Sequence, residues 1–424
     1  MVKNAYSNLP TLMDIPVPYS YSFEGERIKK ENLQIEFGGL PGLAFEIIIS
    51  RKEEDIKDGN IEVFGHDLED LGHLNTPLPL AIIVNVYGHN MQEDFEPVLE
   101  RRISHFINCA LGVTHSGQRD TNLIRISKDA FLSGFRLKHL GVILNFMLRQ
   151  EYGAIIDKVE VKIYTNREDV SGFLIEARRT FHARDERLNN MSDESTDVYY
   201  SCLICQSLSP RHICIITPER LGLCGAYSWL DAKASYKILA TGPNRPILKG
   251  EVLDERLGQW RGVNEFIEKE TDKNIKKISI YSLMNSPMTS SSLLECIVAV
   301  IPEANGVMVV SRDYSGMTPL GMDFNTLVNL IGQGIQTPGF LGIARRYIVS
   351  NKFISAEGGI RRLVWMPKQL KAMFSEKMGL IAQEINEPDL LEHIADEGVA
   401  QTLEELLGFL SRIKHPVLSM GRLI

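Results

Sequence analysis

Hydrophobic positions in the first half of the chain follow two patterns that alternate. Short runs rich in β-branched residues are typical of strands: LQIEF (33–37), AFEIIIS (44–50), LAIIVNVYG (80–88) and VEVKIYT (159–165). Longer stretches with an apolar residue at every third or fourth position predict helices over 96–111, 135–150 and 171–188. Strands that alternate with helices indicate a mixed α/β layer structure.

The second half mixes the same two patterns. Its predicted strands are ISIYSLM (278–284), GVMVVSR (306–312), RRYIVS (345–350) and RRLVWMP (361–367), and VAQTLEELLGFLSRI (399–413) predicts a helix. Between the halves, LNNMSDESTDV (188–198) is polar and prone to turns, so we place a domain boundary within it. The sequence therefore predicts two α/β domains, residues 1–197 and 198–424.

Composition narrows the class of protein. A chain of 424 residues with 44% hydrophobic and 24% charged content can form two or three globular cores. Its formal net charge of −8 argues against nucleic acid or an anionic membrane surface as a partner. No stretch has the roughly 18 consecutive apolar residues that a membrane-spanning helix needs, and MVKNAYSNLPTLMDIPVPYS (1–20) lacks the basic segment followed by an apolar run that is typical of a signal peptide. We therefore expect a cytoplasmic protein.

Four of the six cysteines are clustered, and this cluster is the strongest indication of chemistry. They are spaced C-x2-C-x8-C-x9-C as Cys202, Cys205, Cys214 and Cys224. In a reducing cytoplasm, such a cluster indicates metal ligation rather than disulfides. One C-x2-C turn with two further cysteines suits a [4Fe-4S] cluster or a zinc ion, and buried thiols without metal are the remaining alternative.

The residues around the cysteines carry a resemblance to a known family. CLICQS, followed by HICIITPERLGLCGAYSWLDA, resembles the acetyl-CoA synthase subunit of the carbon monoxide dehydrogenase/acetyl-CoA synthase complex. The hallmark of that family is C-x2-C-Q-S…H-x-C-x-x-T-P-[DE]-R-x-x-L-C-G-A-x-S-W-x-D-A. The likeness extends through GPNRPILKGE, RDYSGMTPLGM and FISAEGGIRRLVWMPK, and through FEGERI, RISKDAF and FRLKHLG in the first half. It implies the middle and C-terminal domains of that subunit, at archaeal-type length.

The resemblance also implies a cofactor, a reaction and partners. The four clustered cysteines would hold a [4Fe-4S] cluster, and Cys205 would bridge this cluster to a catalytic nickel ion. The family reaction assembles acetyl-CoA from a corrinoid-bound methyl group, carbon monoxide and coenzyme A. The implied partners are a corrinoid iron-sulfur protein and carbon monoxide dehydrogenase. Soft thiolates suit this chemistry because polarisable sulfur stabilises an electron-rich, low-valent metal.

One family motif is changed in this chain. The family has M-T-S-C-G-C-F-E, whose two cysteines bind a distal nickel and bridge it to the proximal one, whereas this chain has MTSSSLLE. Ser291, Ser292 and Leu293 thus replace Cys-Gly-Cys. A serine hydroxyl is hard and stays protonated near neutral pH, and leucine offers no ligand, so neither substitutes for a thiolate. The sequence predicts an intact four-cysteine site beside a degenerate nickel site.

The replaced segment also has an interpretation of its own. Ser292 to Glu295 matches an S-x-x-E capping box, which predicts that a helix begins before the apolar run LLECIVAVI. Cys296 within that run, and Cys109 late in an amphipathic helix, are interpreted as small buried hydrophobes.

Two further sets of residues are candidates for binding. Arg119, Arg125 and Arg136 could form a pocket for the phosphates of coenzyme A, although scattered charges on amphipathic segments usually form a solvated face. His212 could contact or ligate a metal cluster, although a histidine in a turn more often pairs with the backbone.

Three functions follow from these observations. The first is a CO-methylating acetyl-CoA synthase. The second is a divergent relative that keeps a [4Fe-4S] cluster, with Cys205 bridging another metal or partner, and that acts in electron transfer or in binding a corrinoid protein. The third is a structural zinc protein. Because the thiolates for nickel are missing, we expect acetyl-CoA synthase ancestry with a retained cluster site and a degenerate nickel site.

Overall fold

The computed structural model describes residues 9–23, 27–39, 43–71, 77–204, 212–222, 227–284, 289–290, 295–331 and 338–424. The chain divides into two compact units, residues 1–187 and 188–424. The predicted mixed α/β class is confirmed, because each unit packs helices against sheets with antiparallel and parallel strands. The predicted boundary between residues 197 and 198, and the roles expected of the two domains, stay predictions.

The first unit contains seven strands and five helices among its described residues. The strands are β1 (Leu33–Gly38), β2 (Ala44–Ser50), β3 (Ile61–Phe64), β4 (Leu80–Tyr87), β5 (Val113–Ser116), β6 (Leu123–Ser127) and β7 (Lys158–Tyr164). The helices are α1 (Leu68–Leu71), α2 (Glu96–Asn108), α3 (Lys128–Leu132), α4 (Leu137–Tyr152) and α5 (Arg167–Asn189).

The main sheet of this unit has the strand order β2-β4-β7-β3. Strands β2 and β4 are parallel, β4 and β7 are antiparallel, and β7 and β3 are parallel. Helix α5 covers one face, where Val170 and Leu174 pack against Phe45 and Ile47. Helices α2 and α4 contact the strands as well. Strand β4 is a nearly continuous apolar run because it is buried in the middle of the sheet.

Charged side chains cover the open edge of β2. The N–H of Ile48 donates to Glu100 Oε1 at 2.9 Å, and Arg184 from α5 donates to the carbonyl of Ile48 at 3.0 Å. Arg184 also pairs with Glu100 at 2.7 Å and with Glu96. All three side chains are at most 5% exposed. They satisfy backbone groups that a further strand would otherwise pair.

The second unit contains the remaining described elements. Its strands are β8 (Val198–Cys202), β9 (Cys214–Ile216), β10 (Leu221–Gly222), β11 (Pro246–Leu248), β12 (Val252–Asp254), β13 (Gln259–Trp260), β14 (Thr289–Ser290), β15 (Cys296–Ile301), β16 (Gly306–Ser311), β17 (Phe340–Ile343) and β18 (Leu363–Trp365). Its helices are α6 (Trp229–Ile238), α7 (Arg261–Glu270), α8 (Phe324–Ile331), α9 (Lys368–Glu384), α10 (Leu390–His393) and α11 (Leu403–Ile413). No helix in the described ranges is long and apolar enough to cross a membrane.

The larger sheet of the second unit has the order β17-β15-β16-β18. Successive residues of β15 face opposite sides, as in any strand. Val298 packs with Phe374 and Met378 of α9, whereas Ile297 packs with Leu406 and other residues of α11. Both faces of the sheet are therefore covered by helices.

The three-stranded sheet of this unit has the order β11-β8-β9, and both of its faces are covered. On one face Tyr199 and Ile215 pack against α7. On the other face Cys202 and Cys214 pack against Trp229 and Ala232 of α6. This second face is the one that bears on function.

Two of the strands predicted for the second unit are wrong. Residues 278–284 form turns instead of a strand, and Ile280 donates its N–H to Gly258. Residues 345–350 begin a 3-10 helix, Arg345–Val349, with a local bond from the N–H of Tyr347 to Ala344. The reason is the same in both cases, since an alternating pattern becomes a strand only where a neighbouring strand can pair with it.

The predicted helix start before residue 296 is also wrong. The run Cys296–Ile301 forms strand β15, which is buried at every position. A short apolar run of this length does not distinguish a buried strand from a buried helix by periodicity. Glu295 accepts a hydrogen bond from the N–H of Arg345 at 2.9 Å. Ser292 lies outside the described residues.

The edge of β2 yields a prediction about stability. Arg184→Ala should lower the free energy of unfolding by about 3–5 kcal/mol, because two carboxylates stay buried without their cation. Urea denaturation followed by circular dichroism measures the change. Arg179→Ala is the control, since Arg179 lies on the same helix but pairs with Glu176 in solvent. It should change the unfolding free energy by less than about 0.5 kcal/mol. Equal losses in the two variants would contradict the role of the buried cluster.

Candidate metal centre

Two of the clustered cysteines face each other across a pair of strands. Strand β8 ends at Cys202 and strand β9 begins at Cys214, and the antiparallel register pairs these two residues directly. Directly opposed residues project to the same face of a sheet, with Cβ atoms about 4.5–5.5 Å apart. Both side chains are buried, at 7% and 4% exposure. The pairing of the two strands therefore places on one buried face two cysteines that are twelve positions apart in sequence.

The surroundings of this pair are apolar. Tyr200 and Ile216 lie on the same face, and Trp229 at the start of α6 packs against them. The indole of Trp229 is held by a hydrogen bond from Nε1 to the carbonyl of Val198, at 2.8 Å. Ser228 and Asp231 form a capping box that begins α6 at Trp229. A buried thiolate in such a setting is costly unless a cation neutralises it, so these two cysteines are either neutral thiols or ligands of a cation.

His212 lies beside one of these sulfurs. Its Nε2 is 3.4 Å from Cys214 Sγ, and the side chain is 2% exposed. Of the alternatives drawn from the sequence, this contact agrees with the one in which His212 touches a sulfur of the site.

The fold also brings together the two motifs that flank the predicted nickel site. Strands β10 and β14 pair antiparallel, with Leu221 opposite Ser290 and Gly222 opposite Thr289. In sequence, Gly222 precedes Cys224 by two positions, and Ser290 directly precedes Ser291. The segment of the fourth cysteine and the altered MTSSSLLE segment therefore continue from neighbouring strands.

Several residues of the predicted site lie outside the described residues. These are Cys205, Cys224, Ser291, Ser292 and Leu293. Over the ranges that the structure does describe, no group of three or more His, Cys, Asp or Glu side chains is arranged to hold a metal ion. Cys202 and Cys214 are thus the two described members of the predicted four-cysteine set.

The three arginines proposed for coenzyme A each engage a carboxylate. Arg119 Nη1 lies 2.9 Å from Asp185, and Arg125 Nε lies 2.6 Å from Glu36. Arg136 pairs with Glu69 and also donates to the carbonyl oxygens of Phe131 and Phe135. All three side chains retain partial exposure, so their role in binding a phosphate stays a prediction.

The two cysteines outside the cluster are buried in hydrophobic cores. Cys109 follows the last residue of α2 and its thiol contacts the carbonyl of His105 at 3.3 Å. Cys296 is the first residue of β15, and its side chain is fully buried. Burial raises the pKa of the Cys296 thiol to about 12. These positions agree with the interpretation of both residues as small hydrophobes.

Sequence reasoning missed a buried polar network beside the cysteines. Asp193 falls in the stretch predicted to be an inter-domain linker, yet its side chain is 0% exposed. It forms hydrogen bonds with Glu219 and with the hydroxyl of Tyr281, two residues that lie far apart in sequence. In the sequence, the one indication of this polar network is the T-P-E-R part of the family hallmark (217–220), which contains Glu219.

Comparison with known proteins assigns the family. The fold and the paired cysteines define a mixed α/β protein with a candidate thiolate centre. The family model for the C-terminal part of the ACS/CODH beta subunit matches residues 181–424, and that of the CO dehydrogenase/acetyl-CoA synthase complex beta subunit matches residues 15–170. The chain therefore belongs to the beta-subunit family of the CO dehydrogenase/acetyl-CoA synthase complex.

Individual relatives agree with this assignment. The carbon monoxide dehydrogenase/acetyl-CoA synthase subunit alpha of Moorella thermoacetica is 46% identical over 411 residues, which are 96% of this chain and 56% of that protein. This chain therefore spans little more than half the length of that relative. The acetyl-CoA decarbonylase/synthase complex subunit beta of Methanopyrus kandleri is 40% identical over 410 residues, 96% of this chain and 86% of that protein.

A solved structure is similar over a smaller part of the chain. The C-terminal domain of an acetyl-coenzyme A synthase alpha subunit is 47% identical and covers 31% of this chain and 97% of that domain, with a TM-score of 0.29. The sequence identities, rather than this superposition, carry the family assignment.

The buried position of Cys296 yields a prediction about thiol reactivity. With a pKa of about 12, only about one thiol in ten thousand is ionised at pH 8, and alkylation requires the thiolate. Cys296 should therefore resist iodoacetamide in the native protein and react fully after denaturation in guanidinium. Mass spectrometry of the alkylated peptides measures both samples. Rapid labelling of native Cys296 would contradict its buried state.

Proposed function

We propose that Cys202, Cys205, Cys214 and Cys224 hold a [4Fe-4S] cluster. The observation that carries this proposal is the direct pairing of Cys202 with Cys214 on one buried sheet face. Four soft thiolates are the ordinary ligand set of such a cluster, so the donors present fit it. When bound, the cluster supplies one-electron transfer. A zinc ion would use the same thiolates, and metal analysis distinguishes the two.

The nickel part of the family site does not fit this chain. Ser291, Ser292 and Leu293 offer two hydroxyls and a hydrocarbon where the family has two thiolates. Such groups do not make a square-planar sulfur site, and we derive no reaction step through nickel. Cys205 keeps its thiolate in our proposal and is available to bridge another metal or a partner.

The proposed activity follows from the retained and the missing ligands. We infer that this cytoplasmic protein acts in electron transfer or in binding a corrinoid iron-sulfur protein, within an assembly of the carbon monoxide dehydrogenase type. Arg119, Arg125 and Arg136, in the proposed domain 1–197, would meet coenzyme A if it binds. The cluster would belong to the proposed domain 198–424.

A second candidate function is the acetyl-CoA synthesis expected of the family. The observation that favours it is the similarity to the Moorella thermoacetica protein, at 46% identity over 96% of this chain. For this function, ligands from elsewhere in the chain or from a partner protein would have to complete the nickel site.

Metal analysis of protein purified without oxygen tests the proposal. We expect about four iron atoms and four sulfides per chain, little nickel or zinc, and no exchange of carbon monoxide with the carbonyl of acetyl-CoA. Cys202→Ser and Cys214→Ser should each lower the iron content sharply, because each removes a ligand. Cys296→Ser is the matched control and should leave iron unchanged. Iron with nickel and active exchange would favour the second candidate, and one zinc without iron would refute the cluster.

Restoring the family motif gives a further prediction. The triple substitution Ser291→Cys, Ser292→Gly, Leu293→Cys should allow the protein to bind nickel that the natural chain does not bind, since it supplies two thiolates. Nickel per chain is measured after anaerobic incubation and desalting. Ser291→Ala, Ser292→Gly, Leu293→Ala changes the same positions without thiols and serves as the control. Equal nickel in the two triple variants would contradict the assignment of this segment to the nickel site.

A further inference from the structure

Asp193 is bonded to a turn that lies between two of the proposed ligands. The N–H of Asp193 donates to Glu219 Oε2 at 2.9 Å, and Asp193 Oδ1 accepts from the N–H of Glu219 at 3.1 Å. Its other carboxylate oxygen accepts from the hydroxyl of Tyr281 at 2.9 Å. These three bonds use both oxygens and the backbone donor of a residue that is 0% exposed.

The turn that Asp193 contacts, Thr217–Arg220, joins β9 to β10. Thr217 and Arg220 exchange two backbone hydrogen bonds, each of 3.1 Å, across Pro218 and Glu219. Strand β9 begins with Cys214, and β10 ends at Gly222, two positions before Cys224 in sequence. The turn therefore fixes the direction in which the chain leaves the strand of the third cysteine and enters β10.

Cations hold the other side of the same turn. Lys352 pairs with Glu219, and its Nζ also donates to Glu194 at 2.9 Å. Arg220 Nη2 donates to the hydroxyl of Tyr347 at 2.5 Å, and that hydroxyl donates to the carbonyl of Lys352 at 2.7 Å. The turn is thus bonded on both sides to segments that lie apart from it in sequence.

The side chain of Arg220 also fixes the conformation of the turn, because it is buried against two tyrosine rings. Its side chain is 1% exposed and lies over the rings of Tyr281 and Tyr347, at 5.7 Å and 5.1 Å from their centroids. A buried guanidinium is stable only near negative charge or aromatic faces. The carboxylate of Asp193, bonded to Tyr281, supplies negative charge to the same cluster.

The charges in this network are costly to disturb because Asp193 and Arg220 are buried. Burial, together with the neighbouring charge of Glu219, raises the pKa of Asp193. Burial lowers the pKa of Lys352, but its hydrogen bonds to Glu219 and Glu194 outweigh this effect and leave that pKa raised. Replacing the carboxylate of Asp193 by an amide would change the charge next to Glu219, Lys352 and Arg220 inside this network.

We propose that Asp193 is a positioning residue for the cluster site. It holds the Thr217–Arg220 turn, which directly follows the strand of Cys214 and lies between Cys214 and Cys224 in sequence, and we expect the cluster to be retained only while this turn is held. This inference rests on the proposed function. Residues that orient metal ligands without binding the metal commonly change metal affinity by roughly 10–100-fold.

The test compares Asp193→Asn with a matched control and with a variant that lacks the ligand itself. The control is Asp197→Asn, since Asp197 is an exposed acid in the same polar stretch. The comparator is Cys224→Ser. Each full-length protein is reconstituted with iron and sulfide, and three properties are measured: iron per chain, the rate of iron loss to a chelator, and the electron paramagnetic resonance spectrum.

We expect Asp193→Asn to lose iron roughly 10–100-fold faster than the natural protein. After oxidation with added ferricyanide, which takes one electron and converts [4Fe-4S]2+ to [3Fe-4S]+ with release of one Fe2+, its spectrum should show the same three-iron signal as that of Cys224→Ser. The double variant should lose iron no faster than Cys224→Ser alone. Asp197→Asn should match the natural protein, and circular dichroism should show that all variants are folded.

Other outcomes overturn the inference. A natural rate of iron loss in Asp193→Asn refutes the positioning role alone, as does a double variant that loses iron much faster than Cys224→Ser, since that indicates general loosening. If Asp193→Asn does not fold, Tyr281→Phe decides, because it removes only the hydroxyl bonded to Asp193, and an unchanged rate of iron loss then refutes the role. A natural chain that takes up no iron refutes the proposed function, and the positioning role with it.

Discussion

The antiparallel pairing of β8 with β9 is the constraint on which the candidate metal centre depends. It sets Cys202 opposite Cys214 and turns both toward the helix that begins at Trp229. A shift of the register by one residue would move one of the two thiols to the other face of the sheet, against α7. The apolar side chains on both faces oppose such a shift, so the packing of the small sheet also positions the sulfurs.

Buried charge has a similar structural use in both units. At the edge of β2, Arg184, Glu96 and Glu100 bond to backbone groups that lack a neighbouring strand. Beside the cysteines, Asp193 and Lys352 bond to Glu219 of a turn that apolar packing alone would not hold. The carboxylates of Glu96 and Glu100 pair with Arg184 and that of Glu219 pairs with Lys352, whereas that of Asp193 is satisfied by hydrogen bonds.

Family membership and ligand chemistry bear on different questions. Similarity over nearly the whole chain assigns the fold and the family, because both depend on hundreds of residues that pack together. Activity depends on a few donor atoms, and the exchange of two cysteines for Ser291 and Leu293 that we propose would alter those few atoms. A relative can therefore keep the scaffold and a cluster while losing the site for a second metal.

Local pattern and composition were enough to predict the α/β class, most strands and helices of the first unit, and a cluster of four cysteines along the chain. The pairing of strands decided that Cys202 faces Cys214, and that residues 296–301 form a strand whereas 278–284 form turns. Contacts with distant segments decided that Asp193 is buried. No local pattern records which distant segments meet. By its sequence alone, a polar stretch such as 188–198 is typical of a linker. Only the tertiary structure shows that Asp193 within it bonds to the 217–220 turn, to Tyr281 and to Lys249.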